Sequence, residues 1–308
     1  MTSSPGTATA DSRFVESYGR GIVLVTAAGL LWSSGGLLFR WVDTASEWQI
    51  IVWRTFFLGL SALLYVLWRY RGGVWQAIRS IGWWGLIGGL GLALANTAFI
   101  FSLSMTYVAN TLLILGVSPF LAALLAWVLL REKVRRATVL SMLIVVPGLV
   151  IMVSGGLGTG RVLGDLLALG AVAGFALFSV CIRAGRHGDM MPTVFVAGLI
   201  SCVVATTVVV AGGDTIWISG HDIGMGFLMG FAQVFLGLTL YIAGSRHLPA
   251  AELALLSLTE VVIGPFWVWL VFGEIPVEHT FYGGALVLVA VILNALTGIR
   301  RRHPLPQV

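Results

Sequence analysis

Charge is scarce in this sequence: only 10% of its 308 residues are Asp, Glu, Lys or Arg, against 58% hydrophobic, at a mean hydropathy of +0.98. That scarcity excludes a soluble domain, because a sphere of this size has too little interior to hide so much apolar surface. Cysteine is nearly absent. Cys181 and Cys202 both fall inside apolar runs, with no CxxC or Cys/His spacing, so neither a disulfide framework nor a metal site is expected. Catalytic signatures are missing too. There is no HExxH, GxSxG or P-loop, and Leu163-Gly164-Asp165 lacks the preceding glycine of an intramembrane aspartyl protease. The five histidines lie at loops or at the ends of apolar runs. An enzyme, a bound cofactor and a single-chain ATP-driven pump are all disfavoured, and no ring of like charge or repeated filter segment argues for a channel.

What is present is a series of apolar runs. A helix rising about 1.5 Å per residue needs roughly 20 apolar residues to cross about 30 Å of hydrocarbon. Ten runs meet that length: 21–40, 47–68, 82–103, 107–130, 137–154, 162–182, 191–211, 223–245, 249–272 and 280–299. The 39 glycines and 12 tryptophans fit a bilayer, where small residues allow close helix packing and indoles favour the headgroup level. Residues 1–19 read as a disordered cytoplasmic tail rather than a signal peptide, since no cationic start leads directly into an apolar core, and 301–308 read as a second tail.

The net charge of +5 is explained by orientation rather than by nucleic acid, for which no partner role is expected. Arg13 and Arg20, then Arg69, Arg71 and Arg79, then Arg131 to Arg136, then Arg183 and Arg186, then Arg246, and finally Arg300 to Arg302 all fall on one face. Only Arg40, Arg161 and the intraspan Arg54 do not. Asp43, Glu47, Asp214, Asp222, Glu274 and Glu278 fall on the other face. Basic loops stay cytoplasmic, so both termini are expected inside a cell inner or plasma membrane.

The chain also repeats itself. At an offset of about 142 residues, Trp127 to Glu132 falls on Trp269 to Glu274, and Val108-Ala109-Asn110 falls on Ala250-Ala251-Glu252. At 143, Trp32 to Arg40 falls on Phe175 to Arg183. Five runs per half is an odd number, so the halves, 20–155 and 161–300, must cross the membrane in opposite directions. Glu132 then ends its run among Arg and Lys, while Glu274 is expected to end its run with no base nearby. The expected fold is an all-α polytopic membrane protein of ten transmembrane helices in two inverted five-helix repeats. Such repeats suit alternating access, because exchanging the conformations of the halves moves the opening of a cavity from one side to the other.

These features carry a resemblance. Leu31-Trp32 with Arg40, Trp53-Arg54, and Tyr107-Val108-Ala109-Asn110 through Pro119 to Leu130-Arg131-Glu132 resemble the EamA-type transporters of the drug/metabolite superfamily. So does Leu248-Pro249-Ala250-Ala251 through Glu260 and Pro265 to Phe272-Gly273-Glu274. The resemblance implies a central cavity lined mainly by the third, fourth, eighth and ninth helices, with the fifth and tenth at the periphery where a homodimer would form. It also implies export of amino acids and other metabolites, or uptake of sugars and related solutes. The sequence departs in one respect: Glu260 stands where the first half has Ser118.

An ionised group inside a span is costly and therefore a candidate for function. Glu260 lies near the middle of the ninth run, roughly 18 Å from its ends, where it can take a proton or a cationic solute group, or else partner a hydroxyl or Arg54. Arg54, about 10 Å into its run, can grip a solute carboxylate, form a structural ion pair or snorkel to the headgroups. Asn96 and Gln233 sit mid-span as candidates for orienting a solute or for interhelical hydrogen bonds. Trp32, Tyr241 and Trp267 are candidate cavity walls or packing residues. Pro119 and the pair Gly264-Pro265 are candidate hinges, because proline opens the backbone ladder. Gly85, Gly89, Gly226 and Gly230 make small-xxx-small pairs suited to packing. The function expected is secondary transport of a small amphipathic metabolite, by efflux coupled to protons or exchange. The alternative is a membrane sensor or assembly scaffold.

Overall fold

A computed structural model describes the backbone of residues 5–134, 136–155, 157, 160–185, 189–245, 247–248 and 250–300, and within these ranges the side chains other than 5–17, 245, 250–255, 257–258 and 298–300. The C-terminal tail 301–308 lies outside the described residues. Thirteen α-helices and one π-helical stretch follow in order. The first half holds α1 (Pro5–Arg40), α2 (Glu47–Arg69), the short α3 (Val74–Ser80), α4 (Gly82–Met105), α5 (Val108–Leu115), α6 (Ser118–Leu130) and α7 (Arg136–Ser154). The second half holds α8 (Val162–Ala184), α9 (Met191–Ala211), α10 (Gly220–Phe227), the π segment Leu228–Leu236, α11 (Gly237–Ser245), α12 (Ala250–Phe272) and α13 (Glu278–Arg300). Among the described residues nine stretches of 19 to 25 residues are apolar and long enough to span, and α12, with 23 residues, is the tenth.

The runs appear where hydropathy puts them, with four differences. The first helix begins at Pro5, so residues 5–19, expected to be disordered, continue it. Extending an existing helix adds a hydrogen bond for each residue fixed, and Pro5 stands at the start, where its missing N–H costs nothing. The fourth run is two helices separated at Gly116-Val117, with Pro119 in the first turn of the second. The eighth run, which begins at Gly220, contains the π segment. α12 runs through Gly264-Pro265 without a break, because one absent N–H removes a single rung of its ladder.

The packing obeys the repeat. α4 lies along α8 as α1 lies along the π segment and α11, and α1 packs on α12 as α8 packs on α5 and α6. α2 meets its own counterpart α9, and α7 meets α13. Each of these pairs maps onto another, or onto itself, when the halves are exchanged. Facing glycines bring the axes close: a Cβ on Gly198 would lie 2.7 Å from Gly59 Cα, and one on Gly91 would lie 2.8 Å from the Gly174 carbonyl. Of the glycines flagged in sequence, Gly89, Gly226 and Gly230 face other helices, at Val196, Trp53 and Arg54 respectively, whereas Gly85 faces Ile81 beside it.

The outer surface is apolar where a soluble protein would be polar, as at Leu140, Leu143, Val146 and Val150 along α7. Exposed Trp68, Trp75 and Trp83 gather at the end carrying the basic loops, and Trp41 and Trp217 at the other, the positions of two headgroup belts. These ends are called the basic and acidic faces below. On the acidic face the loops 41–46 and 212–219 are stitched together. Gln49 Nε2 donates to the Thr215 carbonyl at 2.7 Å and Trp53 Nε1 to that of Ile216 at 2.9 Å. The fully buried carboxylate of Asp222 accepts from the backbone N–H of Asp43, Thr44 and Ala45 at 2.9, 3.2 and 3.1 Å.

Candidate solute-binding site

Between the halves lies a chamber of about 430 Å³, within the range of small-molecule sites, roughly 300–1,000 Å³. Its walls come from α1, α2, α4, the α5–α6 break, α8, the π segment, α11 and α12, and α13, expected at the periphery, also contributes Val291. A second space of about 360 Å³ shares Pro119, Ala122, Ser179 and Arg183 with the chamber and adds Glu132, Lys133 and Thr138, so the two form one path from mid-membrane toward the basic face. Toward the acidic face the path ends in packed side chains, among them Leu38, Ile51, Ile100, Leu103, Val108, Leu112, Met229 and Val268.

Six of the seven candidate binding residues line the chamber: Trp32, Arg54, Asn96, Gln233, Tyr241 and Glu260. Trp267 does not. It lies two turns beyond Glu260 on the same stripe, roughly 10 Å nearer the acidic face and above the chamber's end, where it packs on Phe266. Pro119 lines the chamber beside the α5–α6 break. Gly264 instead serves packing, since a Cβ there would collide with Leu112.

The polar groups of the chamber are incompletely satisfied. Arg54 is 3% exposed; its Nη1 donates to the Asn96 carbonyl at 3.1 Å and its guanidinium carbon stands 5.3 Å from the Phe99 ring centroid, while Nε finds no partner among the described residues. Among the described residues no carboxylate lies within ion-pair reach of it, so Glu260 is not its structural counter-ion. Among the described residues Asn96 Nδ2 likewise has no acceptor and Gln233 Oε1 no donor, although Gln233 Nε2 donates to the Trp32 carbonyl at 3.4 Å. Glycines make this arrangement possible: a Cβ on Gly35 would strike the Gln233 amide, and one on Gly237 the Trp32 indole. Trp32 and Tyr241 face each other at 5.3 Å between centroids and form an aromatic wall with Phe175.

The family model for the EamA-like transporter family matches this chain twice, over residues 19–154 and again over 162–296. The chain belongs to that family. A solved structure titled only "Crystal structure of protein" shares the fold, with a TM-score of 0.63 and 18% identity over 92% of this chain and 99% of that one. A search of the curated proteins returns no match. This EamA-like protein is therefore a multi-pass membrane transporter of the drug/metabolite type, with the family domain present in both halves.

Several polar residues of this EamA-like chain escape a sequence reading. Asp165, fully buried near the start of α8, accepts from Thr106 Oγ1 at 2.8 Å and Asn110 Nδ2 at 3.0 Å, and Thr280 on α13 donates to Asn110 Oδ1. It ties three spans together near the acidic face, and its nearness in sequence to Arg161 hides its depth. Glu274, expected to stand alone, is paired with Arg40 at 2.9 Å, because α1 and α12 end side by side. The one available sign was the repeat, which sets Arg40 on Arg183 and Glu274 on Glu132; the second pair also meets at 2.9 Å.

Proposed function

We propose that this protein is a secondary transporter of a small amphipathic metabolite bearing a carboxylate and an amino group, an amino acid or a close relative, moved outward by alternating access. The observation that carries the reading is the guanidinium of Arg54, buried in the chamber with a free donor and, among the described residues, no protein anion. A permanent cation held in that way is complete only with an anion from outside the fold. Asn96 Nδ2 offers a further donor in the same chamber, and Glu260 offers an acceptor for an ammonium. Trp32, Tyr241 and Phe175 supply the apolar surface for a side chain.

Glu260 also supports coupling. One carboxylate can hold a proton or a solute ammonium, not both, so competition for it links solute exit to proton entry. The retention of basic loops on the cytoplasmic side supports a reading in which both termini and the open end of the chamber face the inside of the cell, in the inner or plasma membrane.

The test is uptake and counterflow of labelled amino acids in proteoliposomes with and without a pH gradient, for the wild type and Glu260→Gln. Gradient-driven transport lost in Glu260→Gln, with solute exchange retained, is expected. Gradient response unchanged by the substitution would remove Glu260 from coupling, and no movement of any amino acid would overturn the substrate reading.

A further inference from the structure

Two ion pairs lie at opposite faces, and the repeat relates them. Arg40 ends α1 on the acidic face, and its counterpart Arg183 ends α8 on the basic face. Glu274 follows α12 and Glu132 follows α6. In both halves the residue before the glutamate is left-handed, Arg131 at φ 55° and Gly273 at φ 66°, so each chain turns back and returns its carboxylate over the helix end. Left-handed backbone is unfavourable for arginine, and its retention in both copies marks the turn as a shared device rather than an accident of one loop.

The pairs are alike in length and unlike in engagement. At the acidic face Glu274 Oε2 accepts from Arg40 Nε at 2.9 Å, its Oε1 accepts from Val108 N–H at the start of α5 at 2.7 Å, and Arg40 Nη2 reaches the Thr106 carbonyl at 3.3 Å. One carboxylate thus joins α1, α12 and the α4–α5 elbow, with side chains 27% and 16% exposed. At the basic face Arg183 and Glu132 are 58% and 38% exposed and border the path into the chamber. The clamp is tight where the path is closed and loose where it is open.

We propose that Arg40–Glu274 and Arg183–Glu132 are matched latches that hold the acidic and basic faces shut in alternation. When the basic face closes, Glu132 takes the backbone N–H of Ala250, the repeat counterpart of Val108 at the start of α12, as Glu274 takes that of Val108 here. The positive end of a helix favours a carboxylate, so each latch draws an incoming helix onto an acid already held by its arginine. This inference rests on the alternating-access reading, but its assay reads accessibility rather than transport, so the two can fail separately.

The experiment places a single cysteine in the chamber, Ser118→Cys, with Cys181→Ser and Cys202→Ala. Labelling by a membrane-impermeant maleimide is measured in membrane vesicles of each orientation. Glu274→Gln is expected to raise labelling from the acidic face on the order of tenfold and lower it from the basic face, as loss of a charged hydrogen bond implies. Glu132→Gln is expected to shift the balance the opposite way, and Glu132→Asp, which keeps a carboxylate for both Arg183 and the helix N-terminus, to restore it. Labelling that moves in the same direction for both glutamines, or in neither, overturns the proposal. If Glu274→Gln does not fold, Arg40→Lys replaces it, and failure of both to fold would mark the pair as a fixed brace and likewise overturn it.

Discussion

Replacing Arg54 with leucine separates a binding residue from a strut. In a strut, removing one member of a buried ion pair leaves its partner uncompensated and costs about 3–5 kcal/mol. Among the described residues Arg54 has no such partner to orphan. Moving an arginine rather than a leucine about 10 Å into a span costs up to roughly 3 kcal/mol on insertion scales, and that term is recovered on substitution. Against it stand the bond to the Asn96 carbonyl and the contact with Phe99, together about 2–3 kcal/mol. The terms nearly cancel, so Arg54→Leu is expected to unfold within about 1 kcal/mol of the wild type in a detergent denaturation series. Binding behaves differently. The charged hydrogen bond to a solute carboxylate is worth about 1.5–3 kcal/mol, so affinity for an amino acid should fall roughly ten- to a hundredfold, while affinity for its carboxamide changes little. Equilibrium binding of the labelled pair checks both. A loss of several kcal/mol of stability with the acid-to-amide preference intact would refute the assignment of Arg54.

Three further outcomes follow from the loops. Gly273→Ala, at φ 66°, should lower stability by about 1 kcal/mol, whereas Arg131→Gly, at φ 55°, should cost nothing or gain a few tenths, read as shifts in thermal midpoint. Asp222→Asn removes the charge that gathers three backbone N–H groups and the Thr44 hydroxyl, and should cost about 2 kcal/mol and speed proteolysis within residues 41–46.

The spans were legible because a bilayer imposes length and polarity on every crossing segment, and the pairing of halves was legible because Leu130-Arg131-Glu132 and Phe272-Gly273-Glu274 retain one local geometry. Where two helices take the place of one was half legible. Pro119 announces a discontinuity, yet the break falls at Gly116-Val117, since proline is tolerated in a helix's first turn and displaces the break ahead of itself. The π segment, which packs against α1 and α2, left no mark of its own in 228–236.

Chamber residues were recognised by polarity at depth, a criterion that finds Arg54, Asn96, Gln233 and Glu260 but is blind to walls. Hence Trp267, on the right stripe, fell above the chamber, while Phe99 and Phe175 went unnoticed among ordinary aromatics. The latch pairs expose a different blindness. Arg40, Arg183, Glu132 and Glu274 sit at span ends, where charge is ordinary, and each glutamate finds its arginine in the other half. Exchange of partners between halves is what an inverted repeat makes possible, since the end of α1 meets the end of α12 on one face only if α8 meets α6 on the other. A pair that is part-buried and triply bonded at one face and half-exposed at the other is, on the latch proposal, one sequence element seen in two states, and the asymmetry between the copies then indicates what each becomes when the faces exchange.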